Sequence, residues 1–231
     1  MKLISFSLWG VNKKYLNGGI ENARLAQIIY PEFKCVYYVN GCVPKDTIAE
    51  LEKFDNVTIE YDPFPGSWLN MFDRFIPHFD KNNEVVLVRD CDSRLSWRER
   101  SCYDLWIKSD KGILALNDHP LHSLIIMGGL HASRNGAMRD MYNSFEKFLA
   151  NCGDHSDRYQ IDQDWLNEEV LPYKVGNIMW FNDFALRRGA LPFPHPRQGL
   201  EFCGEILDAE GIPNQEHRQI LKNYIIKNKD D

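Results

Sequence analysis

Two aspartates one residue apart, Asp90 and Asp92, follow directly on the apolar run Val85-Val86-Leu87-Val88 in the segment EVVLVRDCDSR. Four consecutive apolar residues read as a buried strand, and in a parallel sheet ligands bind beyond the carboxyl ends of the strands. Side chains two apart in an extended chain point the same way. Both carboxylates can then face one divalent cation that bridges the phosphates of a nucleotide. A turn or a helix cap is the competing reading, because such triplets are common.

Three other segments carry polar chemistry. Arg74 lies in SWLNMFDRFIP, which reads as a helix, and its guanidinium suits a diphosphate beside a metal. In IDQDWLNEEVLP, the residues Asp162, Gln163 and Asp164 occupy the first turns of a helix anchored by Ile161, Trp165 and Leu166, although acidic residues there are also ordinary N-terminal helix chemistry. A general base must be a carboxylate or imidazole within reach of the attacking hydroxyl, and Asp162 and Asp164 are the first candidates, with His119 and Asp118 behind them. His119 and His122 read as a structural or sugar-contacting pair, because the sequence puts no third metal ligand beside them.

The elements that must position these groups alternate. Residues 3–8, 35–39, 57–61, 85–88, 113–116 and 175–181 read as strands. Helical spacing covers 20–29 and 46–54, a Ser96-to-Glu99 capping box opens a helix towards Ile107, and further helices are expected across Met138 to Leu149, over 158–170 and over 216–226. The order predicts an α/β fold with a mostly parallel sheet covered on both faces. Most of the tryptophans fall on inward spacing and read as core.

Bulk properties narrow the classes. A chain of 231 residues with 44% hydrophobic content is read as a single domain, residues 1–231, with a nucleotide-handling half near 1–95 and the remainder over 96–231. A net charge of -6 without a long basic run argues against a general nucleic-acid surface. The opening MKLISFSLWG is too short to span a bilayer and lacks the features of a secretory signal, so no transmembrane segment and a cytoplasmic location are expected. Six cysteines without CxxC spacing read as reduced, buried thiols.

With these residues in view, the sequence resembles the GT-A glycosyltransferases, particularly small bacterial and large-DNA-virus (chlorovirus-like) members. RDCDSRLSWRE looks like their strand, metal motif and following helix; NDHPLHSLIIMGGLHASR like their acceptor-side region; DQDWLN like their late acidic helix; and PFPHPRQGLEFCGEILD like the segment that closes over the nucleotide. The resemblance implies a GT-A fold and a nucleotide-diphosphate sugar donor, a UDP-sugar being favoured. It also implies Mn2+ or Mg2+ at Asp90 and Asp92, and a donor site that includes Ser7, Leu8, Trp9 and Arg74. It makes His195 a candidate third metal ligand and a glycan or other hydroxyl compound the acceptor. Phe202-Cys203-Gly204-Glu205 departs from the pattern, which has Val and Gln in place of Cys203 and Glu205.

Inversion is preferred slightly over retention, although the sequence decides neither. A phosphatase-type hydrolase using Asp90 as nucleophile, and a non-catalytic nucleotide- or glycan-binding module, are the alternatives.

Overall fold

The computed structural model describes residues 1–64, 66–152, 158 and 160–227. Seven strands form one sheet: β1 (Lys2–Leu8), β2 (Lys34–Asn40), β3 (Val57–Asp62), β4 (Val85–Arg89), β5 (Ile113–Asn117), β6 (Leu130–Arg134) and β7 (Ile178–Asn182). Their order is β3-β2-β1-β4-β6-β5-β7, and every pairing is parallel except those made by β6. The fold is the mostly parallel α/β architecture expected from the sequence.

Burial on both faces explains the continuous apolar runs. On β4, Val85 and Leu87 enter one hydrophobic cluster while Val86 and Val88 enter the other. The first cluster takes in α1 (Lys13–Ile29), α2 (Lys45–Leu51) and α3 (Trp97–Trp106). The second takes in the 3₁₀ segment Trp68–Phe79, α4 (Tyr142–Cys152) and the start of α5 (Ile161–Asp164). Among the described residues no helix is long and apolar enough to cross a membrane.

Several details depart from expectation. β6 has no counterpart among the expected strands, because its sequence LHASR mixes polar with apolar residues; the polar ones, His131 and Ser133, are buried and hydrogen-bonded to His78. α1 begins at Lys13 and not near residue 20, because Gly18 and Gly19 interrupt the apolar spacing. A Cβ at Gly18 would lie 1.9 Å from the Cys91 carbonyl oxygen, so the glycine is what lets the helix touch the turn after β4. The helix expected over 158–170 starts at Ile161, and position 159 lies outside the described residues. That helix widens into a π-helical stretch, Trp165–Val170, before α6 (Leu171–Lys174), as suits a chain in which Pro172 has no N–H to give the ladder. The final helix, α7 (Gln215–Lys227), falls where the sequence put it. Of the tryptophans, Trp106 and Trp165 are core as read, whereas Trp97 stands exposed.

Candidate active site

A cavity of about 760 Å³ opens beyond the carboxyl ends of β1 and β4. Asp90, Asp92, Arg74 and Asp162 all line it, together with Ser7, Trp9 and His119. The carboxylate pair sits in a turn and not in the extended chain assumed from the sequence, yet both residues face the cavity while Cys91 between them is buried. The turn is held from both sides. The Cys91 thiol donates to the Ser7 carbonyl at 3.5 Å, and Leu207 N–H donates to the Asp92 carbonyl at 2.9 Å.

The charges form a chain. Arg74 Nη1 donates to Asp90 Oδ1, and Arg74 Nη2 to Asp162 Oδ2 at 2.6 Å; its backbone N–H is fixed by Ser7 Oγ at 3.1 Å. Burial alone would depress the Arg74 pKa, but Asp90 and Asp162 raise it, so the guanidinium is a permanent cation. Asp162 titrates above the usual carboxylate range because it is buried, with Arg74 opposing the shift. Asp92 is likewise raised, first by burial and then by the neighbouring charge of Asp90. Lys14 opposes this from 2.8 Å.

Gly129 completes the wall. A Cβ there would fall 1.9 Å from Asp90 Oδ2, so the Asp90 carboxylate rests on bare backbone.

The remaining site expectations divide. Trp9 lines the cavity and meets Trp68 edge-on at 5.2 Å between ring centroids. Leu8 does not line it: at 1% exposure it belongs to the core, because its side of β1 faces the first cluster. Asp164 is not in the cavity wall; its carboxylate accepts from Arg158 on the outer side of α5. His195 also stays away. Its carbonyl is bound by Arg98 Nη1 and its ring Nδ1 lies 2.9 Å from the Pro196 carbonyl oxygen.

His119 does line the cavity, but both ring nitrogens are engaged: Nδ1 accepts from Leu121 N–H at 3.1 Å and Nε2 donates to the His217 carbonyl at 2.9 Å. It is a neutral structural imidazole, its pKa lowered chiefly by burial. Asp118 is fully buried and serves as an anchor. Its two oxygens accept from Arg98, Arg197 and the Cys203 N–H, which fastens the proline-rich segment to the end of β5. Within that segment Phe202 and Gly204 reach the cavity, and Glu205, one of the departures from the family pattern, pairs with Arg218 of α7 at 2.6 Å.

Several groups at the site were not named as candidates from the sequence. Tyr15 lines the cavity from the first turn of α1, Lys14 beside it reaches the wall by donating to Asp92, His217 joins His122 in flanking His119, and Gln163 presents a buried Oε1 that has no hydrogen-bond partner. His122 Nδ1 accepts from Asp118 N–H, and burial first, then His119 and His217, pushes its pKa down to about 3. It therefore presents a neutral Nε2–H. The signal that was available for Lys14 is its place directly after β1, at the ligand-binding end of a parallel strand.

The donor set fits a hard divalent cation. Two carboxylates share one wall, and their mutual repulsion is what such an ion would relieve. Among the described residues no group of three or more His, Cys, Asp or Glu could hold a metal by itself, so a cation here would complete its shell with phosphate and water oxygens.

No family model matches the sequence, and no curated protein matches it. Solved structures do. The chain is similar to a glycosyltransferase involved in the glycosylation of the major capsid of PBCV-1, with a TM-score of 0.47 and 11% identity, covering 76% of this chain and 78% of that one. It is similar to the galactosyltransferase LgtC in complex with donor and acceptor sugar analogues, with a TM-score of 0.48 and 12% identity, covering 77% and 72%. It is also similar to the mannosyltransferase PcManGT from Pyrobaculum calidifontis in complex with GDP-Man and Mn2+, with a TM-score of 0.45 and 9% identity, covering 60% of this chain and 46% of that one. The likeness is one of fold.

Proposed function

We propose that this chain is a glycosyltransferase that moves a sugar from a nucleotide-diphosphate donor, a UDP-sugar being favoured, to a hydroxyl of a glycan or similar acceptor. The observation that carries the reading is the convergence of Asp90, Asp92, Arg74 and Asp162 on one large cavity at the ligand-binding end of a parallel sheet. Asp90 and Asp92 would hold Mn2+ or Mg2+, which when bound supplies positive charge to the departing diphosphate. Arg74 fixes Asp90 and Asp162 relative to each other, and Trp9 with Trp68 offers an aromatic wall to the nucleoside.

The geometry narrows the expected bases. Asp164 is tied to Arg158 outside the cavity and His119 has no free nitrogen, whereas Asp162 lines the cavity with its Oδ2 given to Arg74. Asp162 is then the base of an inverting transfer, with Gln163 and His122 offering hydrogen bonds to sugar hydroxyls. NMR of the product's anomeric centre tests it: a product of retained configuration would remove the single-base reading.

The hydrolase reading gains one observation, the ammonium of Lys14 beside Asp92. Release of phosphate from an aryl phosphate, lost in Asp90→Asn, would establish it in place of transfer.

A further inference from the structure

Beneath the cavity, and outside it, lies a second pair of opposite charges. Arg89 ends β4 and Glu99 lies in the first turn of α3; their side chains are 4% and 2% exposed, and Arg89 Nη2 stands 2.9 Å from Glu99 Oε2. The Ser96-to-Glu99 pattern predicts a reciprocal helix cap, but only half of it forms. Glu99 N–H donates to Ser96 Oγ at 3.3 Å, and the Glu99 carboxylate turns inward to Arg89. A carboxylate left at the helix surface would have cost little. Burying both ions costs most of what their pairing returns, so the arrangement is weak as a stabilising device.

What Arg89 touches gives the pair its purpose. Nη1 donates to the Gly129 carbonyl at 3.0 Å, and Nη2 reaches Ser93 Oγ and the Arg94 carbonyl, each at 3.4 Å. One planar fork therefore spans the two loops that frame the cavity's charge: the turn bearing Asp90 and Asp92, and the glycine loop on which Asp90 rests. We propose that Arg89 and Glu99 form a positioning pair that sets the distance between these loops, and through it the placement of Asp90 and Asp92 for a divalent cation and a diphosphate. The role of the loops rests on the donor-site reading above. Glu99 supplies the balancing charge; without it a buried guanidinium would turn away from carbonyls that cannot neutralise it.

The groups that face Glu99 come from every neighbouring element. They are Arg89 from β4, Tyr30 beyond α1 with its hydroxyl 3.4 Å from Oε1, Tyr103 and Cys102 from α3, His131 from β6, and Cys203 from the proline-rich segment. Burial pushes the tyrosines and thiols up and His131 down to about 4, so of these groups Arg89 alone is charged near neutrality. Burial raises Glu99 itself to about 7 against the pull of Arg89. The grip on the two loops is then present above that pH and relaxes below it.

Amide and carboxyl NMR over a pH series tests this in the full chain. In the wild type the Glu99 carboxyl carbon and the Gly129 and Ser93 amides should share one midpoint near 7, and in Glu99→Gln the two amides should lose it. Calorimetry with UDP and Mn2+ on the same proteins should find Glu99→Gln about tenfold weaker than wild type well above that midpoint and equal to it well below. Arg89→Lys, which keeps the charge and loses the fork, should be weak at both. The proposal is overturned if the Gly129 and Ser93 amides do not follow the Glu99 carboxyl in the wild type, a result that needs no variant to fold. It is equally overturned if they follow it while Glu99→Gln binds as wild type does at high pH. Failure of the wild type to bind any nucleotide diphosphate with Mn2+ would sink the donor-site reading, and the coupling of the loops would still be decided by the spectra.

Discussion

Two arginine–carboxylate clusters are built from the same residue types and put to different ends. In one, Arg74 joins Asp90 and Asp162, and the Asp90 side chain remains 40% exposed to the cavity. In the other, Asp118 is fully buried, and Arg98, Arg197 and the Cys203 N–H together occupy both its oxygens, with Asp183 accepting at 2.6 Å from the same Arg98 Nη2 that donates to Asp118. Both aspartates were legible from the sequence as candidates for chemistry. The difference lies in spare valence: a carboxylate with open oxygens on a cavity can take a ligand, whereas one whose oxygens are all engaged can only hold the chain together.

The contrast breaks most visibly at the sealed cluster. Asp118→Ala takes the buried carboxylate from Arg197 and the Cys203 N–H and leaves Arg98 only that of Asp183, and denaturant unfolding should show a loss of about 3–5 kcal/mol, a large share of the stability of a typical domain. Should Asp118→Ala unfold as wild type does, the anchor is not what fastens the proline-rich segment.

At the open cluster the effect moves from stability to binding. Asp92→Ala removes a proposed ligand and no core contact, so unfolding should change by no more than about 1 kcal/mol while Mn2+-dependent nucleotide binding disappears. Gly129→Ala forces a methyl into the place of Asp90 Oδ2 and should weaken that binding by roughly 10- to 100-fold in a folded protein. An alanine there that binds normally would mean that Asp90 need not rest on this loop.

Acidity sharpens the contrast further. The folded pKa values of Asp92 and Asp162 lie above the ordinary carboxylate value, chiefly through burial, so the folded state binds their protons more tightly than the unfolded chain does. Their contribution to stability therefore grows as the pH falls through those raised values, and an ionised carboxylate ready for a metal is lost over the same range. Metal-dependent binding should decline on acidification before the fold does; measured together, parallel declines would contradict the assignment.

The smallest effects belong to Asp164 and His195. Each lies off the cavity, and Asp164→Ala and His195→Ala should leave stability within about 0.5 kcal/mol and turnover near wild type.

The sequence made the first four strands and Asp90 with Asp92 legible because β2 and β4 are buried on both faces and read as apolar runs, with β4 ending directly at the two aspartates. It hid β6, whose buried His131 and Ser133 break that pattern, and the early turns of α1, where Gly18 serves close approach and not apolar spacing. It also could not separate Asp162 from Asp164. The helical turn that sends one to Arg74 sends the other outward to Arg158, and only the packing of α5 decides which is which.

The most direct test of the account is calorimetric titration of the wild type and Asp92→Ala with UDP, and then GDP, each with and without Mn2+. The wild type should bind one of these nucleotides only when Mn2+ is present, and Asp92→Ala should bind neither. Binding that is indifferent to Mn2+, or intact in Asp92→Ala, would contradict the account.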